Sequence, residues 1–153
     1  MFRITRQTDY GIVLLSRFAT EPVGTLHNAR DLAKDFGIPL PMVGKILKLL
    51  SKNNLLTSIR GAKGGYSLAR PAEKITVLEI IAVLEGEVAM TECSHEPVVG
   101  ICQQESLCPV SGNWQKINRA VRGALSHLTL ADMSRPRTGP TKFVQPSLEG
   151  FPR

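Results

Sequence analysis

The sequence is poor in the features that assign a chain quickly. Aromatic residues are 5% of its 153 positions, with a single Trp, so any core must be mostly aliphatic. No apolar run approaches the ~20 residues of a membrane span, and no basic, apolar, small-residue leader opens the chain. Both absences point to a soluble cytoplasmic protein with no membrane partner. Cysteine occurs three times, an odd number that argues against a closed disulfide framework. The thiols are expected to be free or bound to metal, as suits a reducing compartment. What is present is an apolar fraction of 42%, enough for a packed domain and too much for a disordered chain.

Acidic charge is scarce where basic charge is dense. Met1 to Pro71 holds 11 Lys/Arg against 4 Asp/Glu, Ala72 to Met133 holds 4 against 8, and Ser134 to Arg153 holds 4 against 1. The net +6 therefore divides into a basic front, an acidic middle and a basic tail. A basic half is the electrostatic footprint of a polyanion binder, although small domains also carry basic faces by chance.

Apolar periodicity places three helices in the basic half. Thr5 to Ala19 carries Tyr10, Val13, Leu14 and Phe18 on one face, and Glu21-Pro22 and Gly24 end it. Asn28 is a good N-cap for a short helix bearing Ala29, Leu32, Ala33 and Phe36, which Gly37 stops. Ile38-Pro39-Leu40 makes a turn, and Pro41 suits the first position of a third helix running to Asn53. That helix has an apolar stripe of Val43, Ile46, Leu47 and Leu50. Two short helices joined this way fit a helix-turn-helix, and fit a plain helical hairpin equally well.

The next segment favours the first reading. Leu55 to Ile59 and Tyr66 to Ala69 alternate like strands around the basic glycine turn Arg60-Gly61-Ala62-Lys63-Gly64-Gly65. The loop is too long for a two-residue hairpin turn. A hairpin directly after a helix-turn-helix is the layout of a winged helix. A phosphate-binding nucleotide loop is the weaker explanation of the glycines, because no Gly-Lys-Ser/Thr follows.

Beyond the hairpin, Thr76 to Glu79 reads as a capping box opening a helix through Ile80, Ile81 and Leu84 to Gly86. That helix is apolar nearly all round and should be buried. From Glu87 to Ser111 no periodicity survives, a stretch too long for an ordinary loop, and it holds all three cysteines. Ser111 is placed to cap a last long helix with a seam of Trp114, Ile117, Val121, Leu125 and Leu128. The seam closes either over the domain's own core or in a two-fold dimer interface. Thr129 to Met133 adds a short turn, and the Pro- and Gly-bearing remainder reads as a disordered tail. The expected organisation is therefore residues 1–86, a winged helix-turn-helix; 87–111, a cysteine loop; 112–133, a dimerisation helix; and 134–153, the tail. The fold class is mainly α with a small β-hairpin wing.

Cys93, Cys102 and Cys108 sit among polar neighbours, which fits badly with the usual part of a free cysteine as a small core hydrophobe. A structural zinc site usually starts from a tight cysteine pair, absent here, though His95 would complete a set of three thiolates and one imidazole. Soft thiolates in one loop also suit an iron–sulfur cluster. A cysteine nucleophile ranks last, since the layout offers no orienting triad, and the chain is not expected to be an enzyme or to take a small-molecule substrate.

At this point the residues carry a resemblance. The run Ile4-Thr5-Arg6-Gln7-Thr8-Asp9-Tyr10-Gly11, the wing Arg60 to Tyr66, and the cysteine loop together resemble the Rrf2 family of winged-helix regulators. The likeness covers about Met1 to Met133. The run Cys108 to Asn118, with Thr91-Glu92-Cys93, is most similar to a subgroup that regulates the SUF iron–sulfur assembly operon. The resemblance implies a homodimer bound to double-stranded DNA at a pseudo-palindromic operator, with the third helix in the major groove. It implies an iron–sulfur cluster on Cys93, Cys102 and Cys108, two-iron ahead of four-iron. The fourth ligand varies in the family: Ser111 stands where IscR-type members carry a histidine ligand, and Asp9 stands where NsrR-type members carry an aspartate that serves the other subunit, so the resemblance implies Asp9, with His95 and Glu105 as local alternatives. The implied function is a repressor that senses cluster status; a nitric-oxide or redox sensor of the same family, or a zinc-stabilised winged-helix adaptor, are the alternatives.

The same helix can be read without the family. Lys45, Lys48 and Lys52 lie away from the apolar stripe, placed for phosphates, with Pro41 and Met42 opening the helix. Arg60, with Lys63 and Tyr66 on the wing, is the best candidate for base or minor-groove reading. Solvated lysines on a helix face are the commoner fate, and the wing is what raises the case for contact. Half-sites should lie ~10 bp apart, or a multiple.

Overall fold

The computed structural model describes residues 4–61, 63–94, 102–103 and 107–135. His95, Glu105 and the tail from residue 136 lie outside them.

The basic half forms three helices, α1 (Arg6–Ala19), α2 (Ala29–Phe36) and α3 (Leu40–Lys52). Each boundary has a local cause. Thr5 caps α1, its hydroxyl accepting from the Thr8 N–H at 3.3 Å. Asn28 caps α2 through the Asp31 N–H at 2.9 Å, and Gly37 ends it at φ 63°, a left-handed conformation that favours glycine. Helix α3 has no side-chain cap; Pro39 precedes it and Pro41 stands at its second position, where a missing N–H costs nothing.

The hairpin pairs β1 (Leu56–Ile59) with β2 (Gly65–Leu68), antiparallel, from Leu56 opposite Leu68 to Ile59 opposite Gly65. A third segment that periodicity could not show joins it. His27 and Tyr66 exchange both backbone hydrogen bonds at 2.9 Å, so the α1–α2 connection runs alongside β2 as a one-residue strand. A Cβ at Gly65 would stand 2.7 Å from the His27 carbonyl oxygen, so the pairing needs glycine there.

Helix α4 (Val77–Glu85) follows and buries Val77, Ile80, Ile81 and Leu84. Only half of the expected capping box forms. The Thr76 hydroxyl accepts from the Glu79 N–H at 3.1 Å, but the Glu79 carboxylate turns to the Arg70 guanidinium instead. A full-strength charge is a better partner than one amide.

The long helix α5 (Ser111–His127) begins one residue earlier than a Ser111 cap would allow. Ser111 is its first residue, Val110 holds the cap position without a side-chain bond, and the Ser111 hydroxyl donates to the Cys108 carbonyl at 3.2 Å. The expected short turn is a helix, α6 (Leu130–Ser134), with a complete capping box between Thr129 and Asp132. Hydrogen bonds from Thr129, together with Arg135 nearby, outweigh a little burial and hold the Asp132 carboxyl below its usual range.

The core is aliphatic, as the scarcity of aromatics requires. Leu14, Leu15, Leu32, Ile46, Leu47 and Leu50 from α1 to α3 are fully buried with Leu55, Leu56 and Ile80. Leu130 of α6 joins the same core, and the Leu130 N–H reaches the Ile75 carbonyl at 2.8 Å. The chain thus returns to the first domain after α5. A five-residue helix has too few apolar positions to announce this contact in the sequence. A second, small cluster of Val77, Ile81 and Val88 lies under Leu125 of α5. Among the described residues, no helix is long and apolar enough to cross a membrane.

Candidate nucleic-acid interface and cysteine segment

Helix α3 buries one face and offers the other. At about 100° per residue, Pro41, Lys45, Lys48 and Lys52 lie opposite Val43, Ile46, Leu47 and Leu50, and all four are exposed while the latter four are buried. Leu40 and Gly44 line one edge of the outward face. Met42 is half-buried and packs against the core.

The wing tip is shaped by its glycines. The Gly64 N–H donates to the Gly61 carbonyl at 3.0 Å, and Gly61 adopts φ 120°. A side chain at Gly64 would collide with the Ile59 carbonyl. Arg60 and Lys63 are exposed at this tip, whereas Tyr66 is half-buried against the core, its backbone fixed by His27. Among the described residues, none of Lys45, Lys48, Lys52, Arg60 or Lys63 is engaged in an ion pair. These five cations form the exposed basic surface of α3 and the wing.

His27 supports the wing from beneath. Its ring meets Phe18 edge-on at 4.9 Å, and its side chain is 12% exposed. Nε2 lies 3.4 Å from a Glu21 carboxylate oxygen without the alignment of a hydrogen bond. Sequence periodicity missed this residue because a lone histidine in a connection carries no pattern.

The cysteines lie in the connection between α4 and α5. Cys93 occupies a short 3-10 turn (Glu92–Ser94), with the Thr91 hydroxyl 3.2 Å from its Sγ and 2.7 Å from the Ser94 hydroxyl. Cys102 and Cys108 are also half-buried, and all three thiols are free. Asn118, the one buried residue of α5, spans the start of the segment: its amide donates to the Ser94 carbonyl at 3.0 Å and accepts from the Met90 N–H at 3.2 Å. The segment's other end is tied by Ser111 to Cys108. Among the described residues, no three His, Cys, Asp or Glu side chains converge to hold a metal ion. The donor chemistry still fits an iron–sulfur group, because thiolates are its usual ligands and three thiols free of disulfides and partly accessible lie in one segment, one short of the usual four. Asp9 is exposed in the first turn of α1.

Next to it, α1 is anchored to the end of α4. The Thr5 N–H donates to Glu85 Oε1 at 2.8 Å, and the Gln7 side chain donates to the Leu84 carbonyl at 3.0 Å. Slight burial pushes the Glu85 carboxyl up, but the hydrogen bonds from Thr5 and Thr8 prevail and lower it.

Part of the apolar seam that runs along α5 to its C-cap Leu128 is exposed. Trp114, Ile117 and Leu128 are 37%, 44% and 46% exposed. Of the two closures open to the seam, closure over the chain's own core is therefore not the one adopted by these three residues.

Known proteins share this arrangement. The chain is 31% identical over 133 residues to the protein rrf2 of Nitratidesulfovibrio vulgaris, covering 87% of each. It is 28% identical to the HTH-type transcriptional regulator IscR of Escherichia coli, over 86% of this chain and 79% of the relative. Its fold is similar to that of CymR, the global cysteine regulator of B. subtilis, with a TM-score of 0.67, 26% identity, and 88% and 97% of the two chains covered. It is also similar to T. potens IscR, with a TM-score of 0.58, 27% identity, and 86% and 85% covered. The family model described as Rrf2, iron-dependent transcriptional regulator, matches residues 4–136. A winged helix-turn-helix with an exposed basic face is the shape of a DNA-binding regulator, and the chain belongs to the Rrf2 family of transcriptional regulators and is not an enzyme.

Proposed function

We propose that this regulator binds a pseudo-palindromic operator as a homodimer and reports iron–sulfur status through Cys93, Cys102 and Cys108, controlling the genes of SUF-type cluster assembly as a repressor. The observation that carries the reading is the tethering of the cysteine segment. All three free thiols lie between α4 and α5, and Asn118 and Ser111 fasten the segment's ends to α5. A change in what the thiols hold is therefore felt by α5, whose uncovered apolar seam supports the dimer contact. The relatives' names alone do not choose the signal, since one is a cysteine regulator and the family description is iron-dependent. Three soft donors in one segment favour the iron–sulfur group.

An iron–sulfur cluster, if bound, would supply redox-reactive chemistry at these thiols. The chain's own residues do the rest. Cys93, Cys102 and Cys108 would hold three ligand positions of the cluster, and Asp9 of the opposite subunit would take the fourth. Asp9 stands one turn into α1, which packs on α3 and α6. A ligand there couples the sensor segment of one subunit to the reading head of the other, a segment-ordering switch.

Purification without oxygen tests the reading. The expected product is coloured, contains iron and sulfide, and loses its chromophore in Cys102→Ala. A colourless protein that holds zinc overturns it, and so does colour that persists unchanged in Cys102→Ala. Asp9→Ala should alter the spectrum and leave the fold intact.

A further inference from the structure

Helix α3 carries no Arg, Asn, Gln, Asp or Glu in its sequence LPMVGKILKLLSK. Those are the side chains that read base edges with paired hydrogen bonds, Arg on guanine and Asn or Gln on adenine. The polar groups α3 does have are Lys45, Lys48, Ser51 and Lys52, and lysine is a flexible point charge rather than a fork.

Recognition helices of this type touch bases with their N-terminal residues. Here those residues are apolar and presented to solvent. Leu40 is 44% exposed although it is a large aliphatic side chain, and Pro41 is exposed beside it. Gly44, one turn on along the same edge as Leu40, has nothing within 4 Å of where a Cβ would stand. The bare backbone at Gly44 leaves room for the groove floor to approach. The lysines begin only at Lys45 and continue toward the C-terminus of the helix.

The apolar feature of the major groove is the C5-methyl group of thymine. We infer that α3 reads its half-site chiefly by van der Waals contact of Leu40, Pro41 and the bare backbone at Gly44 with thymine methyl groups, while Lys45 and Lys48 hold the backbone. The inference rests on the proposed placement of α3 in the major groove. It makes Leu40 a specificity-determining residue and assigns hydrogen-bonded base reading, where it occurs, to Arg60 on the wing.

The experiment removes only the methyl group. Tight-binding duplexes are selected with the full-length protein from a randomised pool, and each thymine of the selected site is replaced in turn by deoxyuridine. Replacement at the thymine facing Leu40 should weaken binding about fourfold in one half-site and about 15-fold in both, taking a buried methyl as worth about one buried methylene. Leu40→Ala should bind the thymine and deoxyuridine duplexes alike, and Leu40→Met should keep the preference. If Leu40 were only structural, Leu40→Ala would weaken both duplexes equally and the thymine preference would survive, which overturns the inference. Indifference of the unmodified protein to every replacement overturns it too, without reference to any variant. Failure to enrich any duplex would instead overturn the groove placement itself.

Discussion

The side-chain amide of Asn118 donates to the Ser94 carbonyl, 24 residues upstream, and does so fully buried. With its oxygen on the Met90 N–H, one side chain satisfies two backbone groups that flank Cys93. Buried polar groups that lose a partner cost about 1–3 kcal/mol each. Asn118→Ala should therefore lower the denaturation midpoint, and Asn118→Leu should do so without opening a cavity. Amide exchange at Met90 and alkylation of the Cys93 thiol should both accelerate in either variant. Unchanged exchange at Met90 would mean that the segment is held by other contacts.

The Thr5–Glu85 bond makes the seat of α1 dependent on pH. The Glu85 carboxyl is held below its usual range in the folded chain by the hydrogen bonds from Thr5 and Thr8, so the folded state favours its charged form. Stability gained this way is present above the unfolded value and is lost as pH falls through the folded one. The gap in thermal stability between the natural protein and Glu85→Gln should be constant near neutrality and should close progressively below about pH 5. A gap that widened on acidification would assign the effect elsewhere. Because α1 carries Asp9 a turn from Thr5, the same variant should loosen the position of that carboxylate.

Much of this architecture is legible along the chain because it rests on local chemistry. Asn28, Gly37 and the stripe from Val43 to Leu50 act through neighbours three or four residues away, and each does what its spacing predicts. What escapes is long-range. His27 pairs with Tyr66 across 39 positions, and Leu130 enters a core whose other members lie far upstream. Single residues in connections have no period to betray them. The capping residues went astray for another reason: Glu79 had a cation within reach and Ser111 had a carbonyl, and pattern alone does not rank such competitors. In the candidate interface, the lysines of α3 were legible from the stripe they avoid. The half-burial of Met42 and Tyr66 was not, because it depends on packing between elements.

The free cations make a quantitative prediction. Log affinity for duplex DNA falls with log salt by about 0.9 for each phosphate neutralised. Lys48→Ala should weaken binding to all duplexes alike and reduce that slope by about 0.9 for each subunit in contact. Lys34→Ala, also exposed but on α2, should leave the slope unchanged if only α3 and the wing touch the backbone. A slope insensitive to Lys48 would argue against the proposed docking face.

The apolar edge of α5 predicts the assembly. Ile117 sits beside the buried Asn118, so one helix faces the cysteine segment with one edge and solvent with the next. Contact with a second copy would cover Trp114, Ile117 and Leu128 and bring the two reading heads to a fixed spacing. Light scattering should give twice the 16.7 kDa of the chain for the natural protein and the single mass for Ile117→Asp. A carboxylate facing its own symmetry mate is both desolvated and repelled, which is why one substitution should suffice. The variant's helical content should be retained, because Ile117 is 44% exposed in the single chain and supports little of its core. Operator affinity should fall with the loss of the dimer, since a lone helix and wing cover only one half-site. An Ile117→Asp protein that stayed dimeric would move the interface off this seam, and with it the route from the cysteines to the DNA.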